Sequence, residues 1–200
     1  MERLTDDTIL ADPIAQFDRW MKDAEEHANQ RVPESCCLST VGADGYPEGR
    51  VVLLKFYDAS GFVFYTNLRS PKGRALVVTP RAALTFHWPS LKRQIRIQGE
   101  VEIVSDEEAD EYFSTRPRGS KISAWASNQS EPIEDRATLE AKQAEMEKKY
   151  TGKVPRPPHW SGFRIKPRNI EFWQDCESRL HDRFHFVRDA DDWNCARLSP

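Results

Sequence analysis

The chain has 200 residues, 30% of them charged, with a formal charge of −3 and a pI near 6.0. That length supports one domain, spanning 1–200, with a sizeable core, and the acidic balance excludes a general binder of nucleic acid or of anionic membrane surfaces, whose affinity comes from a basic excess. Cys36, Cys37, Cys176 and Cys195 show no C-x-x-C spacing, so neither a disulfide framework nor a metal site is indicated, and reduced thiols are expected.

The opening MERLTDDTILADP lacks the continuous apolar region of a signal peptide, and no stretch reaches membrane-spanning length, so a cytoplasmic protein is expected. Asp12 followed by Pro13 marks a helix start, and Phe17, Trp20, Met21, Ala24 and Ala28 recur at helical spacing as a core-facing stripe over about 12–28. Cys36 to Val41, Glu48 to Tyr57 and Phe62 to Thr66 read as strands joined by the turns Gly42-Ala43-Asp44-Gly45 and Asp58-Ala59-Ser60-Gly61. Ser70-Pro71-Lys72-Gly73-Arg74 reads as a capped helix start whose free N–H groups suit a phosphate, or as an ordinary surface helix.

Ala82 to Trp88 and Lys92 to Val104 follow as strands, the second alternating apolar residues with a polar face that carries Gln94. Ser105 opens a helix that runs through Tyr112 and Arg116 and stops at Pro117; Tyr112, Arg116 and Ser120 share a side if the helical path resumes after the proline. Ile133 to Tyr150 reads as a charge-rich helix, solvated on one face. Strands are then expected at Gly162 to Ile165, Asn169 to Trp173, Arg183 to Arg188 and Asp192 to Leu198. Short strands interrupted by helices point to a mainly β, antiparallel barrel with peripheral helices.

The C-terminal stretch about 171–200 holds the densest chemistry. If Arg179 to Phe186 is extended, Arg179, His181 and Arg183 project from one face, two permanent cations flanking an imidazole. Such a set suits an anionic, electron-rich ligand; the same alternation also fits a solvated edge strand. His27, His87, His159 and His185 lack such company and read as structural or solvated. No G-x-G-x-x-G or P-loop is present, so any nucleotide must be held by side chains rather than by a dinucleotide-binding turn.

Arg179-Leu180-His181-Asp182-Arg183, preceded by Phe172-Trp173-Gln174, resembles the C-terminal signature of the pyridoxamine/pyridoxine 5'-phosphate oxidase family. Arg50-Val51-Val52-Leu53-Leu54-Lys55, Phe64-Tyr65-Thr66-Asn67, Arg93-Gln94, Tyr112-Phe113-Ser114-Thr115-Arg116-Pro117 and Ser127-Asn128-Gln129-Ser130 match further family blocks in the family's order. The resemblance spans about Asp12 to Pro200, and co-ordered blocks are more specific than any one motif.

The resemblance implies an FMN-binding split barrel working as a homodimer, with the flavin between subunits. It implies an oxidase that converts pyridoxamine 5'-phosphate or pyridoxine 5'-phosphate to pyridoxal 5'-phosphate, with O2 reduced to H2O2. FMN is then held by Arg50, Val51, Val52, Leu53, Leu54, Lys55, Tyr65, Thr66, Lys72, Gln94, Gln129, Ser130, Trp173 and Arg183. The substrate phosphate falls to Lys55, Tyr112, Arg116 and Ser120, and the pyridine ring to Arg179, Leu180 and His181. Arg179 and His181 are the implied catalytic pair. Arg50 and Lys55 lie an odd number apart, so an unbulged strand would aim them at different anions.

Two departures stand out. The family's N-terminal arm with an Arg and a Tyr finds no match, and Pro71 stands where the family has an arginine, leaving Arg69 and Arg74 as flanking substitutes. A flavin-binding barrel also fits a non-catalytic FMN or pyridoxal phosphate carrier, or a flavin reductase. Single-stranded nucleic acid would need a basic groove that the charge balance opposes.

Overall fold

The computed structural model describes residues 2–190 and 192–200. Local signals are met where they concern caps. Asp12 accepts a hydrogen bond from the Ile14 N–H at the start of α1 (Pro13–His27), and Ser70 and Ser105 do the same for α2 (Pro71–Val78) and α3 (Asp106–Thr115). The helical path does resume after Pro117, as α4 (Arg118–Ala126). The charge-rich helix α5 (Arg136–Lys149) begins later than expected, capped by Asp135, and buries no residue on either face.

Among the described residues, nine antiparallel strands form one sheet: β1 (Ser35–Val41), β2 (Pro47–Leu53), β3 (Phe56–Asp58), β4 (Gly61–Asn67), β5 (Arg81–Trp88), β6 (Arg93–Ile103), β7 (Trp160–Gln174), β8 (Asp182–Asp189) and β9 (Asp192–Arg197). The order is β2-β1-β5-β6-β7-β4-β3, with β8 and β9 continuing from β7. The expected single strand from Glu48 to Tyr57 is therefore two strands on opposite edges. Between them, the Leu54 N–H still bonds the Glu34 carbonyl near β1, while the Lys55 N–H already bonds Val63 in β4. Three peptide links reach at most roughly 10 Å, so the two edges lie side by side and the sheet closes into a barrel.

A second correction concerns β7, expected as two strands. Its first half pairs with β4, its second half with β8, and β6 runs along both. The register shifts at Gln98/Gly99, opposite Pro167. A Cβ on Gly99 would lie 1.9 Å from the Lys166 carbonyl oxygen, so only glycine admits this close approach. The bulge lets one strand leave the barrel without ending.

The core lies inside the barrel under α1. Phe17 packs edge-on against Phe62 and Phe86 at 4.9 and 5.2 Å between centroids, and Trp20 against Phe172 at 5.4 Å. Cys36, inside the barrel, has its thiol pushed by burial to about 12, so it is an inert packing residue. No helix among the described residues is long and apolar enough to cross a membrane.

Candidate active site

A cleft of about 710 Å³ opens where β2, β4, α3 and α4 meet. The sheet crossover places Val51, Val52, Leu53 and Lys55 on one wall, β4 and α2 supply Tyr65, Thr66 and Lys72, and the two helices supply Tyr112, Arg116 and Ser120. Gln129 closes it from the loop after α4. These eleven are among the residues that the family resemblance singled out, nine of them drawn together from four separate blocks and two, Lys72 and Ser120, from outside those blocks.

Two cations define the cleft's chemistry. Lys72 Nζ donates to Thr66 Oγ1 at 3.2 Å, Ser70 Oγ at 3.2 Å and Gln129 Oε1 at 3.1 Å. All three acceptors are neutral. Desolvation, with Arg50 nearby, holds the Lys72 pKa below the ordinary lysine value. Arg116 is held beneath its ordinary value by burial, and one of its terminal nitrogens is buried without a partner. Among the described residues, neither cation pairs with a carboxylate. A half-buried cation without a counter-charge favours an anion beside it, and the cleft presents two such cations.

Aromatic rings set Arg116 in place. Its guanidinium lies 4.7 Å from the centre of Trp160 and 5.5 Å from Phe113. Tyr65 lies nearly parallel to both Tyr112 (4.0 Å, 14°) and Trp160 (5.3 Å, 6°), which are themselves 6.2 Å apart. Gly162 leaves the space for this slab, since a Cβ there would meet the Tyr65 ring at 2.8 Å. Arg164 of β7 grips Glu108 of α3 with two 3.0 Å contacts and so fastens the helix bearing Tyr112 and Arg116 to the barrel. Burial, with Glu108 nearby, pushes the Tyr65 hydroxyl up to about 12, so it stays protonated. Trp160 carries no charge and sits in no short motif; only its ring lying against Tyr65 and Arg116 reveals it.

The remaining residues singled out by sequence do not line this cleft. Leu54 is buried in the core at the crossover. Arg50 bonds Thr40 Oγ1 at 2.7 Å and Glu48 at 2.5 Å; because the strand ends at Leu53, the odd-spacing argument linking Arg50 and Lys55 does not apply. Ser130 is exposed, in a left-handed conformation (φ 71°). Lys55, by contrast, belongs to the cleft wall described above, with its Nζ 3.5 Å from Glu34. Near α2, Arg74 turns its guanidinium onto the Arg69 carbonyl, and neither arginine reaches the cleft.

Gln94, Trp173 and Arg183 gather elsewhere, as a cross-strand row over β6, β7 and β8 on the outer sheet face. Glu171, two residues from Trp173 on that face, bridges Arg183 at 2.8 Å and Arg96 at 3.2 Å. Arg179 is not in an extended strand. A turn covers Glu177–Arg179, with Ser178 and Arg179 left-handed at φ 56° and 62°, and β8 starts only at Asp182. The expected common face of Arg179, His181 and Arg183 is thus replaced by a turn: Arg179 and Leu180 are exposed, while the His181 ring lies 4.6 Å from Trp173. Alternation arguments fail where the backbone leaves the β region.

Two family models match the chain, one described as pyridoxamine 5'-phosphate oxidase over residues 24–150 and one as the pyridoxine 5'-phosphate oxidase C-terminal dimerisation region over 160–200. Relatives named pyridoxine/pyridoxamine 5'-phosphate oxidase include that of Rhizobium meliloti, 52% identical with 100% of this chain and 98% of that protein covered. The Burkholderia lata relative is 52% identical over 96% of this chain and 91% of its own length. Among solved structures, PhzG from Burkholderia lata in complex with tetrahydrophenazine-1-carboxylic acid superposes with a TM-score of 0.92 at 32% identity, covering 100% of this chain and 99% of that one. An FMN-binding protein from Nostoc punctiforme, 14% identical, shares the fold with a TM-score of 0.76, covering 96% of this chain and 100% of that one.

Proposed function

The chain belongs to the pyridoxamine 5'-phosphate oxidase family, and from that membership we propose that it is an FMN-dependent oxidase turning pyridoxine 5'-phosphate or pyridoxamine 5'-phosphate into pyridoxal 5'-phosphate, with O2 reduced to H2O2. The observation that carries this reading is the pair of half-buried cations, Lys72 and Arg116, facing one cleft without a carboxylate partner among the described residues. One phosphate belongs to the cofactor and one to the substrate. Lys72, Thr66 and Gln129 hold the flavin phosphate; Arg116, Tyr112, Ser120 and Lys55 hold the substrate phosphate.

FMN, when bound, supplies the redox chemistry by taking up two electrons and a proton from the carbon being oxidised. The chain's own residues bind, orient and manage the remaining proton. The Tyr65–Tyr112–Trp160 slab fixes Arg116, so the substrate phosphate is anchored at one point and the ring is presented at a set distance. His181 accepts the proton released from the substrate hydroxyl or amine, and Arg179 orients that group.

Function requires a second copy. The catalytic turn and the Gln94, Trp173, Arg183 row lie outside the cleft, within or beside the segment matched by the dimerisation-region model. The same outer face exposes Val51 (71%), Val41 (42%) and Val187 (41%), apolar area that a homodimer would cover. We assign Arg179, Leu180, His181 and Arg183 of one copy to the cleft of the other. A cytoplasmic location accords with this chemistry.

PhzG offers a second reading, a site for a reduced phenazine carboxylate. Such a ligand brings no phosphate to Arg116 and its neighbours. The test is peroxide formation by the flavin-loaded protein with pyridoxine 5'-phosphate, unphosphorylated pyridoxine and tetrahydrophenazine-1-carboxylic acid. Turnover of the phosphate ester alone is expected. Equal rates with and without the phosphate, or turnover of the phenazine only, would overturn the assignment; NAD(P)H consumption without ester oxidation would indicate a reductase, and FMN binding without any turnover a carrier.

A further inference from the structure

The turn that breaks the expected strand also brings an acid onto His181. With Ser178 and Arg179 left-handed, the chain doubles back so that Asp175 Oδ1 lies 3.0 Å from His181 Nδ1. The Cys176 N–H lies 3.2 Å from the same ring nitrogen. One nitrogen cannot serve both. To donate to Asp175 it must carry a proton, and to accept from Cys176 it must not. The carboxylate contact is the shorter of the two and is charge-assisted, so it prevails. Trp173, tilted 43° against the imidazole at 4.6 Å, limits rotation of the ring out of this arrangement.

We propose that Asp175 is a positioning residue that holds His181 in the Nδ1–H tautomer, so that Nε2 presents its lone pair to the substrate. This rests on the oxidase reading above. Oxidation of the carbinol CH–OH to an aldehyde breaks one C–H and one O–H bond. The C–H hydrogen leaves with the bonding pair to the flavin, and the O–H proton goes to His181 Nε2 while the C=O bond forms. The imidazolium so made keeps its Nδ1–H on Asp175, whose negative charge offsets the new positive one. Without Asp175, the Cys176 N–H selects the opposite tautomer, and Nε2 carries a proton where an acceptor is needed.

The test uses the flavin-loaded protein with ¹⁵N-labelled histidine. Long-range ¹H–¹⁵N correlation is recorded above the pH at which the ring titrates, and the His181 signal is assigned by its loss in His181→Gln. The expected pattern is protonated Nδ1 in the wild type and protonated Nε2 in Asp175→Ala. Asp175→Asn, which keeps a neutral acceptor in place, should fall between them. In Asp175→Ala, kcat for pyridoxine 5'-phosphate should drop by about tenfold, within the range that one positioned acid–base group contributes, while KM stays unchanged. A protonated Nε2 in the wild type, or the same tautomer in wild type and both variants, would overturn the proposal. A tautomer change with unaltered kcat would remove its catalytic consequence. If the wild type makes no peroxide from the ester, the oxidase reading fails while the spectra still decide the role of Asp175 in selecting the tautomer.

Discussion

The cleft and the barrel end beneath the N-terminal segment treat their cations in opposite ways. At the barrel end, Asp182, 4% exposed, receives Arg3 at 2.8 Å and Arg197 at 2.7 Å. Arg93, 1% exposed, meets Asp23 at 2.6 Å and lies over Trp20 at 4.5 Å. Gln174 accepts from the Leu4 N–H and donates to the Glu2 carbonyl. In the cleft, Lys72 has only neutral acceptors, and Arg116 has aromatic faces and an unsatisfied nitrogen. Arg93 Nε and one terminal nitrogen of Arg116 are alike in lacking a partner, so what separates the two regions is the counter-charge. Cations matched to a carboxylate within the chain hold the fold together, whereas Lys72 and Arg116 have none among the described residues and are open to an anion from outside.

The strongest way to break this comparison is at Arg93. Asp23→Ala leaves a guanidinium buried without its counter-charge and is expected to destabilise the protein by about 3 kcal/mol, a typical cost of removing one partner of a buried pair. Denaturant unfolding of the variant measures it. A loss under roughly 1 kcal/mol would place the pair among surface bridges.

Arg116→Ala should do the reverse. It removes a charge-assisted contact worth roughly 1.5–3 kcal/mol, so kcat/KM for pyridoxine 5'-phosphate is expected to fall about ten- to a hundredfold. The melting temperature of the flavin-free protein should hold or rise, because an incompletely satisfied cation has gone. Lys72→Met should likewise weaken FMN binding by about tenfold, followed by flavin fluorescence. A drop in melting temperature comparable to that of Asp23→Ala would mean these cations are structural after all.

The smallest effect concerns acid. Burial by itself would raise the Asp182 carboxyl, but its bonds to Arg3, Cys176 and Arg197 outweigh that and hold it below the ordinary aspartate value. A lowered folded-state pKa contributes stability above the unfolded value, 3.8 for a free aspartate, and that contribution is lost as pH falls through the folded value. The melting temperature of the wild type should therefore fall more steeply below about pH 4 than that of Asp182→Asn. Parallel curves for the two proteins would show that Asp182 does not contribute to the acid limb.

What the sequence determined by itself is what depends on near neighbours or on ordered blocks. The caps at Asp12, Ser70 and Ser105 were legible because a side chain bonds an N–H two or three residues on. The inward stripe of α1 and the alternation of β6 were legible because periodicity is a property of one element. The blocks carrying Lys55, Tyr65, Arg116 and Gln129 marked these as site residues, divided between cofactor and substrate phosphate, before any geometry was known. Tertiary structure decided the rest. The chain crosses between sheet edges at Leu54-Lys55 and keeps β7 whole past Pro167 because distant strands offer the partners there. Trp160 beneath Arg116, Asp175 beside His181, and the separation of the Glu177–Arg179 turn from the cleft arise from contacts between elements. No local period encodes them, since the energy of a long-range contact depends on where the remainder of the chain has already been placed.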